Sequence, residues 1–178
     1  MKLSDFLKHQ IIGYFRLKRQ FPIACTEILN KDIIVGKITS GGIYPIVEIE
    51  TKISFSDFKA DFKKKKHSNP SLLGVDQFYF GVTPSIVNKV VSFLDEKNSP
   101  YGVISLPQPF TDEELIYQNA WDKFIVYRSA KKLENLKPVS SQLIFSRMSS
   151  ELFRLQNRYL NECVCLEEGR KADNGNIN

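Results

Sequence analysis

The chain has 178 residues, 42% of them apolar, 12% aromatic and 25% charged, a balance that describes one compact domain and excludes collagen-like, coiled-coil and wholly disordered chains. Its 25 Lys and Arg against 20 Asp and Glu leave a formal charge of +5, which tilts the choice of partner toward polyanions. A chain of this length buries roughly 70% of its unfolded surface and needs no disulfide or metal to fold. Cys25, Cys163 and Cys165 lack the spacing of a disulfide framework or a zinc site and read as reduced thiols.

Charged residues at Asp5, Lys8, Arg16, Lys18 and Arg19 interrupt the N-terminal apolar pattern, so it does not read as a signal peptide. No stretch approaches the roughly 20 apolar residues that span a bilayer. The expectation is a soluble, cytoplasmic protein without membrane association.

Apolar residues at Leu3, Phe6, Leu7, Ile11, Tyr14, Phe15 and Leu17 recur every three or four positions, which predicts an amphipathic first helix with Ser4 as its N-cap. Two short β-rich runs follow, 23–29 and 32–38, joined by the hairpin turn Asn30-Lys31. After the Gly41-Gly42 turn, 43–52 alternates as a third strand, and Ser54 or Ser56 caps a helix that buries Phe55, Phe58 and Phe62 and ends in Lys63, Lys64, Lys65 and Lys66. A strand at 77–82, a helix at 84–96 and a strand at 101–106 make a parallel crossover. Beyond an ambiguous stretch at 112–119, a strand at 123–128 and a helix at 140–160 complete an α/β domain over residues 1–166, with a polar tail at 167–178. The long last helix suits packing on the sheet or on a second copy, which leaves a homodimer open.

The third strand carries the chemistry. Period-two geometry puts Glu48, Glu50 and Lys52 on one face of an otherwise apolar strand, where unpaired charges cost several kcal/mol. An edge strand with a solvated charged face gives the same pattern. If the Gly41-Gly42 turn returns the chain antiparallel, Asp32 comes to lie near Glu50, and two carboxylates from adjacent strands make an oxygen-rich seat for Mg²⁺ or Mn²⁺. Lys52 is then placed to orient a water or stabilise a phosphorane-like charge.

Asp32 followed by Glu50-x-Lys52 and a helix bearing Asp57, Phe58 and Asp61 resembles the PD-(D/E)XK nuclease superfamily. More narrowly, VEIETKISFSDFKADFKK from Val47, followed by DQFYFGV from Asp76, is similar to the MmcB-like family of DNA repair proteins. The resemblance implies a restriction-endonuclease-like core, a mixed central sheet flanked by helices, and a metal-dependent DNA endonuclease. Its implied metal ligands are Asp32 and Glu50, with Lys52 catalytic. Glu27 on the first strand is the candidate for the additional acidic residue that many members carry, with Asp5 the alternative, and Glu48-Ile49-Glu50 offers a competing register for the ion. The alternative function is a DNA-binding or repair-scaffold module of the same fold without turnover.

Lys59, Lys63, Lys64, Lys65 and Lys66 against Asp61 leave a local charge of about +4, which suits a DNA phosphate track or a solvated helix end. Phe78, Tyr79 and Phe80 read as sheet packing, and His9 and His67 as isolated histidines without a partner motif.

Overall fold

A computed structural model of the chain describes residues 2–28, 31–108, 110–113, 120–134 and 139–154. Two compact units are present, Met1–Ser141 and Gln142–Asn178. In the first, strands β1 (Ile23–Ile28), β2 (Lys31–Thr39), β3 (Gly42–Lys52), β4 (Gln77–Val82), β5 (Gly102–Ser105) and β6 (Ile125–Arg128) form one sheet in sequence order. The first three are an antiparallel meander, β3, β4 and β5 run parallel, and β6 returns antiparallel. The protein is therefore an α/β fold with a mixed central sheet flanked by helices, as the spacing of turns and apolar runs predicts.

Alternation along β3 splits the sheet into two unlike faces. Helix α1 (Leu3–Gly13) lays Leu7 and Ile11 on Ile33, Val35, Val47 and Ile49. Lys2 is its N-cap in place of Ser4, because the Asp5 carboxylate reaches back to accept from Lys2 N at 3.2 Å. Beyond Gly13 the helix widens into a π-turn over Tyr14–Lys18, which turns Tyr14 and Phe15 into the same core. Gly13 itself has no room for a side chain, since a Cβ there would lie 2.9 Å from Trp121 Cβ.

The other face is aromatic. Phe58 of α2 (Phe55–Phe62) meets Phe80 edge to face at 4.8 Å, and Phe78 packs on Tyr101 at 4.6 Å. Helix α4 (Val87–Glu96), preceded by the 3₁₀ turn Pro84–Ile86, buries Val87, Val90 and Leu94. The 3₁₀ turn Trp121–Lys123 takes the first part of the predicted strand at 123–128. Two bonds pin β4 to β3 at opposite ends: Ile46 N donates to Asp76 Oδ2 at 2.8 Å, and Thr83 N to Lys52 O at 3.4 Å.

The predicted helix ending in the lysine run is instead broken in two. Ser54 caps α2 by accepting from Asp57 N, Lys64 is extended, and a short α3 (Lys65–Ser68) follows. In an unbroken helix residue 67 would lie nearly two turns from Asp61 and on another side, whereas the break brings the His67 ring to the Asp61 carboxylate.

Helix α5 occupies 141–154, of which 142–154 fall in the second unit, with an Arg147–Glu151 ion pair at 3.3 Å one turn apart. Residues 114–119 of the ambiguous stretch at 112–119, the end of the last helix, Cys163, Cys165 and the polar tail lie outside the described residues. Among the described residues no helix is long and apolar enough to cross a membrane.

Phe58 is fully buried between α2 and the sheet. Phe58→Ala is expected to destabilise the protein by about 3–5 kcal/mol, read as a lowered urea midpoint with an unchanged slope.

Candidate active site on the central strand

Strand β3 lies between β2 and β4, so its charges are not on an edge. Glu48, Glu50 and Lys52 are 1%, 7% and 6% exposed, and each has a partner of opposite sign. Lys31 bonds Glu48 Oε2 and also donates to Leu73 O at 2.9 Å. Lys52 Nζ donates to Glu50 Oε1 at 2.9 Å, and Lys66 Nζ to Glu50 Oε2 at 3.1 Å. This mutual pairing offsets the desolvation that would otherwise make such a strand untenable.

Asp61 joins the cluster from α2. Its buried carboxylate bonds Lys64, meets His67 Nε2 at 3.1 Å, and has Lys66 at 3.7 Å and Lys52 at 3.9 Å. The largely exposed Asp57 carboxylate lies 3.9 Å from the buried Lys52. His67 is fully buried, stacked on Phe62 at 5.5 Å, with Nδ1 lacking a hydrogen bond.

Burial and pairing compete differently at each group. Asp61 is desolvated, yet its bonds to His67 and Lys64 and the charges of Lys66 and Lys52 win, and the carboxyl is held far below its ordinary range. Its bond to Asp61 in turn raises Lys64. Glu48 goes the other way, because its deeper burial outweighs Lys31 and Lys66 and pushes its carboxyl up. Burial and the negative potential of Glu48 and Asp61 raise the Tyr101 phenol, whose hydroxyl has no hydrogen-bond partner.

Asp32 and Glu27 are elsewhere. The β2–β3 ladder sets Ile33 opposite Ile49, and continued alternation would turn Asp32 toward Glu50. Instead Thr51 N and Thr51 Oγ1 donate to Asp32 Oδ2 at 2.8 and 2.7 Å, and Lys8 of α1 pairs with Oδ1 at 2.9 Å. These bonds overcome burial to lower the Asp32 carboxyl, and with Glu27 and Asp5 they overcome it to raise Lys8. Glu27 stands between Thr26 and Ile28, which pair with Ile33 and Lys31, at a backbone φ of 52° that is strained for a non-glycine residue. Its exposed carboxylate lies 4.0 Å from the same Lys8. Asp32 is thus bonded by Thr51 and Lys8 and Glu50 by Lys52 and Lys66, and among the described residues no group of three or more His, Cys, Asp or Glu side chains is placed to hold a metal ion.

The lysine run also divides. Lys59, Lys63 and Lys65 are exposed, with Lys59 over the Phe55 ring at 5.2 Å, whereas Lys64 is tied to Asp61 and Lys66 turns inward. Asp61, His67, Lys31 and the inward Lys66 thus enter the cluster without having been singled out for it. The signal for Asp61 was its place four residues after Asp57 on one helix face; His67 had none.

The sheet order, its buried acidic strand and its two unlike faces define an α/β protein with an ionic site at a central strand. No protein-family model and no curated protein matches the chain. Among solved structures it is similar in fold to a protein of unknown function from Silicibacter pomeroyi, with a TM-score of 0.59 and 15% sequence identity over 91% of this chain and 94% of that one.

Asp61→Asn is expected to cost about 3–5 kcal/mol at pH 7, since it leaves His67 and three lysines around a neutral group. A carboxyl lowered by folding stabilises above its ordinary value of 3.8, and that contribution fades as the pH falls through the lower folded value. The gap between variant and wild type in urea melts should therefore narrow below about pH 4.

Proposed function

We propose that this chain is a metal-dependent DNA endonuclease of the PD-(D/E)XK type, with a place in DNA repair that follows from its resemblance to the MmcB-like family. The observation that carries the reading is the Glu50–Lys52 pair, 2.9 Å apart on a buried strand of a mixed sheet, with the largely exposed Asp57 carboxylate 3.9 Å from Lys52. A buried ammonium held by a carboxylate is preorganised to stabilise charge that develops on a phosphoryl oxygen. Lys52 would also orient the attacking water, whose oxygen bonds to phosphorus as the leaving oxygen departs in line. Bound Mg²⁺ or Mn²⁺ would make that water more acidic and stabilise the leaving oxygen. Lys59, Lys63 and Lys65 would track the phosphates.

A second reading has its own observation. Asp32, the ligand that the resemblance implies, is engaged by Thr51 and Lys8. That engagement favours a DNA-binding or scaffold module that keeps the fold without turnover.

Supercoiled plasmid and branched DNA incubated in Mg²⁺ and in Mn²⁺ separate the two. The endonuclease reading expects nicking that falls about 100-fold or more in Lys52→Ala and Glu50→Gln, with both variants folded by circular dichroism. Binding that weakens steeply with salt, and no nicking in either metal, would establish the module instead.

A further inference from the structure

On the α1 side of the sheet, away from the ionic face, the first unit holds a cavity of about 530 Å³. One wall is a stripe of the first helix, His9, Ile12, Gly13 and Arg16, at the three- and four-residue spacing of a single face, and Phe21 and Trp121 line the cavity with it. We propose that this cavity binds one nucleotide, with the flat base against the Trp121 indole and the phosphate on Arg16 and His9. The site is separate from the Glu50–Lys52 pair and does not depend on the endonuclease reading.

The walls are held by specific contacts. Trp121 lies so close to the helix that a Cβ at Gly13 would come within 2.9 Å of its Cβ and 3.0 Å of its Cγ, so only glycine lets the indole seat there. Lys18 Nζ, on the π-turn, donates to Asp122 O at 2.7 Å and to Phe124 O at 3.3 Å, which ties the turn Trp121–Lys123 to the end of the helix. Gln20, at a φ of 56°, reverses the chain so that Phe21 N donates to Phe15 O at 2.9 Å, and the Phe21 ring packs edge to face on Phe15 at 5.4 Å. Segments about a hundred residues apart in the chain therefore keep the cavity formed without an occupant, and that preorganisation removes part of the ordering cost of binding. Arg16 itself stands on the π-turn, a widening of the backbone that recurs at functional sites.

The chemistry of the lining selects the occupant. His9 and Arg16 are exposed, and among the described residues neither has a hydrogen-bond or ion-pair partner. No residue lining the cavity is acidic. A guanidinium and an imidazole thus stand about 10 Å apart along the helix, on either side of a half-buried indole and apolar neighbours. That arrangement repels cations and suits a molecule with one flat π face and one anionic group. The planar fork of Arg16 matches two oxygens of a phosphate, and the indole accepts any base because every base has a π face. The volume is that of a pocket for one small ligand, and the net charge of +5 draws phosphates toward the surface around it.

Trp121 is the only tryptophan in the chain, so its fluorescence reports on this cavity alone. Titration with deoxyadenosine monophosphate, with the indole excited at the red edge of its absorption where the base is transparent, should quench the emission saturably. Deoxyadenosine without its phosphate, and the monophosphate with Arg16→Gln, should each bind at least tenfold more weakly. His9→Asn should weaken binding by about threefold, and Lys52→Ala should leave it within twofold of wild type. Both Arg16 and His9 are exposed, so their variants keep the fold, which circular dichroism checks. No saturable quenching up to millimolar nucleotide, equal affinity in Arg16→Gln, or loss of binding in Lys52→Ala would overturn the site. An oligomer of deoxythymidylate distinguishes the source of the nucleotide: Arg16-dependent binding tighter than that of the monophosphate supports a seat for one unit of a single strand, and binding no tighter supports a seat for the free nucleotide. Nicking of plasmid by Arg16→Gln at the wild-type rate, with nucleotide affinity lost, supports both this site and its independence from the ionic cluster.

Discussion

Everything around β3 follows from the burial of two carboxylates and an ammonium in the middle of a sheet. Charges there are tolerable only if cations and further carboxylates are brought to them from other elements. That demand draws Lys31 from β2, Asp61 from α2, and Lys66 and His67 from α3 to one locus. The interruption between α2 and α3 is a local cost accepted for that convergence. The aromatic layer of Phe58, Phe78, Phe80 and Tyr101 then lowers the dielectric around the ions, which strengthens pairing and penalises any group left without a partner.

The opposite face of the same strand is ordinary by contrast. Val47 and Ile49 pack on Leu7 and Ile11, and Thr51 at the end of the strand holds the Asp32–Lys8 pair. A two-residue repeat thus gives one strand two roles, anchoring α1 on one side and assembling an ionic site on the other. The parallel neighbour β4, pinned by Asp76 and Thr83, holds the strand in register so that the site inherits the rigidity of the sheet.

The sheet was readable because its signals are local: period-two alternation at Gly42–Lys52, paired glycines at a turn, and a strand–helix–strand spacing that leaves one parallel arrangement. Glu50 and Lys52 were readable for the same reason. Asp32 was not, because register predicts which residues stand opposite but not which way a side chain turns where the ladder ends, and Thr51 with Lys8 offers it three bonds. His67 was invisible because its partner Asp61 is six residues away, a separation that places neither on the other's helical face until the chain breaks between them. The lysine run divided similarly: five like charges read as one surface, yet the nearby buried carboxylates tie the exposed Lys64 to Asp61 and turn Lys66 inward.

The left-handed residue at Glu27 has a consequence for the rim of the sheet. Strand β1 is an outer strand, whose unpaired backbone groups would ordinarily template addition of a further strand from another chain. A φ of 52° within it twists the backbone out of the extended line and sets a carboxylate there, interrupting any continuous run of intermolecular bonds after Thr26. At the far rim, β6 is only four residues long, and the Arg128 side chain at its end is spent on Asp95 and on the carbonyls of Ser99 and Tyr101. Both margins are thereby poor substrates for amyloid-like stacking, so a chain that must place several charges at the heart of its sheet is protected where the sheet is most sticky.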